Sequence, residues 1–149
     1  MISVELIKKL REKTGAGIAD CRVVLEETKG NLVEAEELLK KRGLEKAEKK
    51  TDRATESGLV HSYIHGAGRV GSLVEVSCET DFVAKTGEFQ KLVHEVAMQV
   101  ASMNPKDVAE LMSQEYIRDP KSKISDLVKS AIAKLGENIK INKIARFAI

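Results

Sequence analysis

The sequence predicts an α+β fold in which a three-helix module precedes a small antiparallel sheet covered by helices on one face. Apolar residues recur at helical spacing up to residue 43, residues 44–57 are charged and lose this periodicity, and alternation with a period of two follows at 59–77. We therefore divide the chain into an N-terminal module (1–43), a linker (44–57) whose first half can be helical, and an α+β core domain (58–149).

Three short helices are predicted in the N-terminal module, separated by glycines. Ser3 can cap the first helix, and Gly15 is expected to end it. Asn31 can cap the third helix, which Gly43 is expected to end as a C-terminal cap residue. The second helix lies between these two. So small a core is marginal alone, and we expect the module to lean on the rest of the chain or on a partner.

The core domain begins with a β-hairpin around the glycines of residues 66–68. Thr86 can cap a long helix, and the Asn-Pro pair at 104–105 and the Asp-Pro pair at 119–120 each predict a helix start with proline in its first turn. The last helix is expected to end at Gly136. A final strand is predicted because five apolar residues share one parity, namely Ile139, Ile141, Ala145, Phe147 and Ile149.

The overall charge and the cysteine content limit the function classes. With 25 basic and 23 acidic residues, the chain has no strong electrostatic preference for nucleic acid or for an anionic membrane. No apolar run approaches the roughly 20 residues that a spanning helix needs, and no signal-peptide pattern is present. Cys21 and Cys78 both lie in apolar patterns. We therefore expect a cytoplasmic protein with reduced thiols and no membrane association.

The segment at residues 66–71, "GAGRVG", matches the Gly-x-Gly-x-x-Gly dinucleotide fingerprint. That fingerprint needs a helix N-terminus after it, whereas "SLVEVS" predicts a strand. We expect these glycines to supply positive φ angles in a hairpin loop, and no nucleotide cofactor.

No residue pattern indicates a metal site or covalent catalysis. His61 and His65 lie on a predicted strand with their Cα atoms roughly 13 Å apart, too far for two ligands of one ion. Neither a Cys-x-x-Cys pair nor a nucleophile elbow is present. We therefore predict that the chain is not an enzyme, and that it uses no metal or other cofactor.

A cluster of basic residues at 40–53 is interleaved with acidic ones, and the chain has few aromatic residues for base stacking. A solvated surface is the favoured interpretation, and direct nucleic-acid binding is not expected.

The stretch "ETDFVAK" at residues 79–85 follows the second predicted strand. Thr80 could cap a helical turn, in which Asp81 would be favourable at the positive end. Phe82 could then be a core residue, or a side chain presented in the first turn after the strand. The pattern alone leaves both alternatives open.

Two segments, "LREKTGAGIADCRVVL" at 10–25 and "EVSCETDFVAK" at 75–85, resemble the signature regions of the bacterial translation elongation factor Ts family. The later "KLGENIKI" at 134–141 is similar to that family's core. The chain departs from the family pattern at Arg22, Val23, Val24 and Ser77. It resembles a short form with one core repeat, without a helical insertion that some relatives carry between Val108 and Ser125.

The resemblance implies an N-terminal module of the ubiquitin-associated type and a role as guanine-nucleotide exchange factor for elongation factor Tu. It implies that Thr80, Asp81, Phe82 and Val83 disturb the Mg²⁺ and phosphate site of that partner, while Arg11 and Ile18 contact it separately. A homodimer of the single-repeat form is compatible with the apolar parity of the last strand. The alternative function is a non-catalytic adaptor that binds proteins through the three-helix module.

Overall fold

The computed structural model describes all residues from Met1 to Ile149. In chain order its elements are α1 (Val4–Thr14), α2 (Ile18–Glu27), α3 (Leu32–Glu48), β1 (Ser57–His65), β2 (Val70–Cys78), α4 (Asp81–Ala84), α5 (Gly87–Met103), α6 (Val108–Ser113), β3 (Glu115–Tyr116), β4 (Asp119–Lys123), α7 (Ile124–Leu135) and β5 (Ile139–Ala148). None of these helices combines the length and the apolar character needed to cross a membrane. The arrangement confirms the predicted α+β class.

The helix caps in the N-terminal module form as expected. The Ser3 side chain accepts a hydrogen bond from the backbone of Leu6, and Asn31 caps α3 in the same way. Gly15 ends α1 with a φ of 68°. The three helices enclose a core of five buried residues: Leu10, Cys21, Val24, Leu25 and Ala35.

The prediction that Gly43 ends the third helix is wrong, because α3 continues to Glu48. A Cβ atom added at Gly43 would lie 3.2 Å from the Cβ of Ala133 on α7. The glycine therefore permits close packing of two helices. One turn later, Ala47 is buried in the core of the sheet domain. The first half of the charged segment is thus helical and packed against the core domain.

The core domain is built on a three-stranded antiparallel sheet of order β1-β2-β5. The inner face of the sheet contributes Val74, Val76 and Ile141 to a hydrophobic core of 18 buried residues, together with Phe89 and Val96 of α5. The β1–β2 hairpin confirms the predicted one.

The hairpin loop accounts for two of the three glycines of the segment at 66–71. Gly66 and Gly68 have φ angles of 60° and 84°, as expected for a turn. Gly71 lies in β2 without a positive φ, and a Cβ atom there would come within 2.8 Å of the Ile64 Cδ1. A strand follows the loop, so the segment lacks the helix N-terminus that a nucleotide fingerprint requires.

The final strand does not keep the single parity predicted from its apolar residues. Glu75 pairs with Lys143 and Val76 with Ile141, so Asn142 forms a bulge, and its amide donates to Ser77 Oγ at 3.0 Å. One extra residue in a strand places every later side chain on the opposite face of the sheet from the one that strict alternation would give. The side chains of Ile139 and Ile141 are therefore buried, whereas that of Phe147 is 81% exposed on the outer face.

Both predicted proline-bearing helix starts are wrong. Asn104 instead ends α5 with a left-handed backbone, and Asp107 caps α6. Asp119 begins strand β4, which pairs with β3. This small hairpin is held on α5 by Glu95, whose Oε2 accepts hydrogen bonds from the Tyr116 hydroxyl (2.6 Å) and from Arg118 Nε (2.7 Å). These tertiary contacts explain why local turn signals misassigned the segment.

Candidate functional site

The short helix α4 presents one apolar side chain and buries the next two residues. Thr80 caps it, with its hydroxyl accepting from the Val83 backbone at 3.3 Å. Val83 and Ala84 belong to the hydrophobic core, whereas the Phe82 side chain is 84% exposed. Of the two alternatives that the pattern left open, the structure therefore shows the presented phenylalanine. Val83, predicted to contact a partner, lies beneath the surface and anchors the turn.

Two consecutive residues before β5 hold the backbone that leads into α4. Glu137 accepts hydrogen bonds from the Thr80 backbone N–H at 2.9 Å and from its hydroxyl at 2.7 Å. The Asn138 backbone N–H donates to Glu79 Oε2 at 2.9 Å. The Asn138 side-chain amide also donates to the carbonyls of residues 51 and 53, at the end of the charged segment. These contacts fix the position of the turn relative to the sheet and the linker.

Sequence reasoning did not assign a role to Glu79, Glu137 or Asn138. A signal was present, because "GEN" at 136–138 lies within a stretch that carried the family resemblance. Glu137 bonds to Thr80, 57 residues away along the chain, and Asn138 bonds to Glu79, 59 residues away. Only the folded structure reveals these contacts.

The charged side chain of the turn is paired locally. Asp81 contacts Lys85 at 2.8 Å, and both side chains are about three-quarters exposed. The hydrogen bond to Asp81 raises the pKa of Lys85. Solvent screens such an exposed pair, so Asp81 remains available to a competing cation.

A buried thiol lies under the same turn. Cys78 Sγ donates to the Thr80 carbonyl at 3.2 Å, and burial raises the pKa of this thiol, with a further contribution from the charge of Glu137. A raised pKa keeps the thiol protonated and unreactive. Its function here is therefore packing and hydrogen bonding.

Arg11 and Ile18 lie on either side of the α1–α2 corner, and both are exposed. This corner is connected to the start of α5 through Lys134. The Lys134 Cε lies 2.6 Å from where a Gly15 Cβ would be, and its Nζ contacts Glu88 at 2.9 Å. The side chain thereby bridges the N-terminal module and the segment that follows α4.

The basic residues of the segment at 40–53 are partly neutralised. Arg42 pairs with Glu27 at 2.6 Å, Lys46 with Asp20 at 3.6 Å, and Arg53 with Glu79 at 3.6 Å. This pairing favours the interpretation of a solvated, structural surface. No group of three or more histidine, cysteine, aspartate or glutamate side chains converges as metal ligands.

A family model described as "Elongation factor TS" matches residues 79–149, and the match begins at the turn described above. The chain is 41% identical to elongation factor Ts of Coprothermobacter proteolyticus, covering 99% of this chain and 98% of that protein. It is also 41% identical to elongation factor Ts of Caldanaerobacter subterraneus subsp. tengcongensis and of Synechococcus elongatus, over 99% of this chain and 96% and 88% of those proteins.

The alignment with the first of these proteins spans 193 positions although this chain has 149 residues, so the relative contains sequence without a counterpart here. The similarity nevertheless extends over both the N-terminal module and the core domain. Together with the family model, it establishes that the chain belongs to the elongation factor Ts family of translation elongation factors.

Proposed function

We propose that this chain is a guanine-nucleotide exchange factor for elongation factor Tu in the cytoplasm, and that α4 is the element that promotes GDP release. The observation that carries the proposal is the 84% exposure of Phe82 on a turn whose next two residues are buried. A large apolar side chain held out from a fixed backbone is suited to insertion into a partner. By family resemblance, the insertion disturbs the Mg²⁺ and phosphate site of the partner.

The mechanism needs no covalent step, so the chain would act without being an enzyme in the chemical sense. A factor that binds nucleotide-free elongation factor Tu more tightly than the GDP-bound form must weaken GDP binding by the same ratio. A shift of four decades requires about 5.5 kcal/mol of differential binding, whereas burial of one Phe contributes roughly 1.5 to 3 kcal/mol. Phe82 alone is therefore insufficient.

Further contacts must supply the difference. Asp81 can leave Lys85 and pair with a cationic group of the partner instead, because the Asp81–Lys85 ion pair is exposed to solvent. Thr80 and Val83 would act mainly by holding the turn, since Thr80 is bonded to Glu137 and Val83 is buried. We assign the second contact area to Arg11 and Ile18. The Lys134 bridge supports simultaneous engagement of both areas by one partner.

The experiment is a stopped-flow measurement of fluorescent GDP release from elongation factor Tu. Wild-type protein is expected to accelerate release, and Phe82→Ala to reduce the acceleration by about tenfold or more, corresponding to the loss of at least 1.4 kcal/mol. Val33→Ala serves as control, because Val33 is a 65% exposed apolar residue in the first turn of α3. Unaltered release with the wild-type protein would instead support the adaptor alternative.

We also propose that the outer face of the sheet forms a homodimer. This face carries four exposed apolar side chains: Val60 (64%), Ile64 (65%), Leu73 (48%) and Phe147 (81%). Glu75 and Lys143, which are paired in register, lie on the same face. A two-fold contact can bring the acid of one copy to the base of the other, so the face is self-complementary.

Sedimentation velocity distinguishes the monomer from the homodimer. Wild-type protein is expected to sediment as a dimer and Phe147→Lys as a monomer. Phe82→Lys is the matched control, because Phe82 is exposed to almost the same degree but lies on α4. A wild-type monomer at micromolar concentration, or equal effects of both substitutions, would contradict the proposal.

A further inference from the structure

All three histidines of the chain lie in one region, where strand β1 meets helix α5. His61 Nε2 is 3.1 Å from His94 Nδ1, and the two rings meet edge to face with centroids 5.3 Å apart. Tyr63 packs its ring against His94, and its hydroxyl contacts His65 Nδ1 at 2.9 Å. The sequence spacing argued against His61 and His65 as ligands of one ion, whereas the fold brings His61 together with His94, 33 residues away.

The nitrogen separation of this pair matches that of two ligands on one metal ion. At metal–nitrogen distances of about 2.0 to 2.1 Å, adjacent ligands lie about 2.9 Å apart at an octahedral angle and about 3.3 Å apart at a tetrahedral angle, and the observed 3.1 Å lies between these values. We propose that His61 and His94 form a two-imidazole site for a divalent transition-metal ion of the Zn²⁺ class. Both side chains are half-buried, and β1 is an edge strand, so water can reach the remaining coordination positions.

The chemistry of the pair favours such an ion. A transition-metal ion binds imidazole through a nitrogen lone pair, and His61 and His94 each bring one ring nitrogen to within 3.1 Å of the other. The ring that donates the present hydrogen bond must move its proton to its other nitrogen. Both rings must also turn about their soft χ2 torsions to point their lone pairs at the ion. With imidazole ligands alone, Zn²⁺, Ni²⁺ or Cu²⁺ is preferred over Mg²⁺ or Ca²⁺.

Two protein ligands bind more weakly than the four of a structural zinc site. Bound metal would nevertheless connect β1 to α5 and stabilise the hairpin on the helix that follows α4 in the chain. Neither histidine is part of the exposed turn, so the site uses none of the residues assigned to exchange on elongation factor Tu.

The test is calorimetric titration of untagged protein with ZnCl₂ at pH 7.5. One site is expected in the wild-type protein, with a loss of at least about tenfold in affinity for His61→Gln and for His94→Gln. His65→Gln is the matched control and should bind Zn²⁺ normally. Absence of binding to wild-type protein, or an equal loss in His65→Gln, would overturn the proposal.

A measurement on wild-type protein guards against variants that fail to fold. The imidazole ¹⁵N resonances are recorded during the same Zn²⁺ titration. Shifts at His61 Nε2 and His94 Nδ1 are expected, with His65 unchanged. Shifts confined to His65 would place the ion elsewhere and refute the assignment.

Discussion

Glu137 accepts two hydrogen bonds from Thr80, one from its backbone N–H at 2.9 Å and one from its hydroxyl at 2.7 Å. This contact connects the last loop before β5 to the residue that caps α4. Thr80 is exposed, so solvent competes for both bonds and their net contribution to stability is modest. Their main consequence is positional, because they restrict the backbone from which Phe82 projects.

We predict that Glu137→Gln loosens the α4 turn while the protein stays folded. The neutral amide offers one acceptor oxygen instead of two and lacks the charge that strengthens both bonds, so the contact is weakened, at a cost of about 0.5 to 1.5 kcal/mol. Hydrogen exchange of the backbone amides at residues 80–85 should accelerate, and GDP release from elongation factor Tu should slow. Glu115→Gln is the control, because Glu115 is exposed and makes no side-chain hydrogen bond. Unchanged exchange protection in Glu137→Gln would contradict the positioning role.

We predict very different losses of stability when two phenylalanines seven positions apart are replaced by alanine. Phe82→Ala should change the free energy of unfolding by less than about 0.5 kcal/mol, because the side chain is already 84% exposed. Phe89→Ala should cost about 3 to 5 kcal/mol, because Phe89 is fully buried and its removal leaves a cavity. Urea unfolding followed by circular dichroism measures both. A large loss in Phe82→Ala would mean that Phe82 packs in the folded protein.

We predict that Gly43→Leu destabilises the protein by about 1 to 3 kcal/mol through overpacking against α7. The reason is the 3.2 Å separation between a Cβ at this position and that of Ala133. The double variant Gly43→Ala/Ala133→Gly should have a stability close to that of the wild type, because it only moves one methyl group from α7 to α3 within the same contact. Thermal unfolding measures the effects, and a Gly43→Leu protein as stable as wild type would exclude close packing at this point.

We predict that stability falls on mild acidification through His61. Its pKa is lowered from 6.5 in the folded protein, so the unfolded chain binds more protons at pH values just below 6.5. The stability that depends on neutral His61 is fully present above about pH 6.5. It is lost as the pH falls towards the lowered pKa of His61 in the folded protein. The urea midpoint of His61→Gln should vary less between pH 7.5 and pH 5.5 than that of wild type, with His65→Gln as the comparison. Parallel profiles for His61→Gln and wild type would refute the assignment.

Local patterns predicted the elements whose signals are local. Ser3, Asn31, Thr80 and Thr86 cap helices as expected, because a capping side chain bonds amides only two or three residues away. The hairpin of β1 and β2 was predicted because a half-buried sheet imposes a period of two on its own strand. The turn at residues 79–85 was found from its residues and from the resemblance that they carry.

The remaining features depend on partners distant in the sequence, so local patterns could not predict them. Gly43 continues a helix because Ala133 lies against it, and residues 119–123 form a strand because the hairpin is held by Glu95. The bulge at Asn142 set which face Phe147 occupies. The amino-acid sequence alone was sufficient for the fold class, for the four N-caps named above and for the location of the candidate turn. The presentation of Phe82 required the structure, since exposure results from the packing of Val83 and Ala84 beneath it and from the bonds between Glu137 and Thr80.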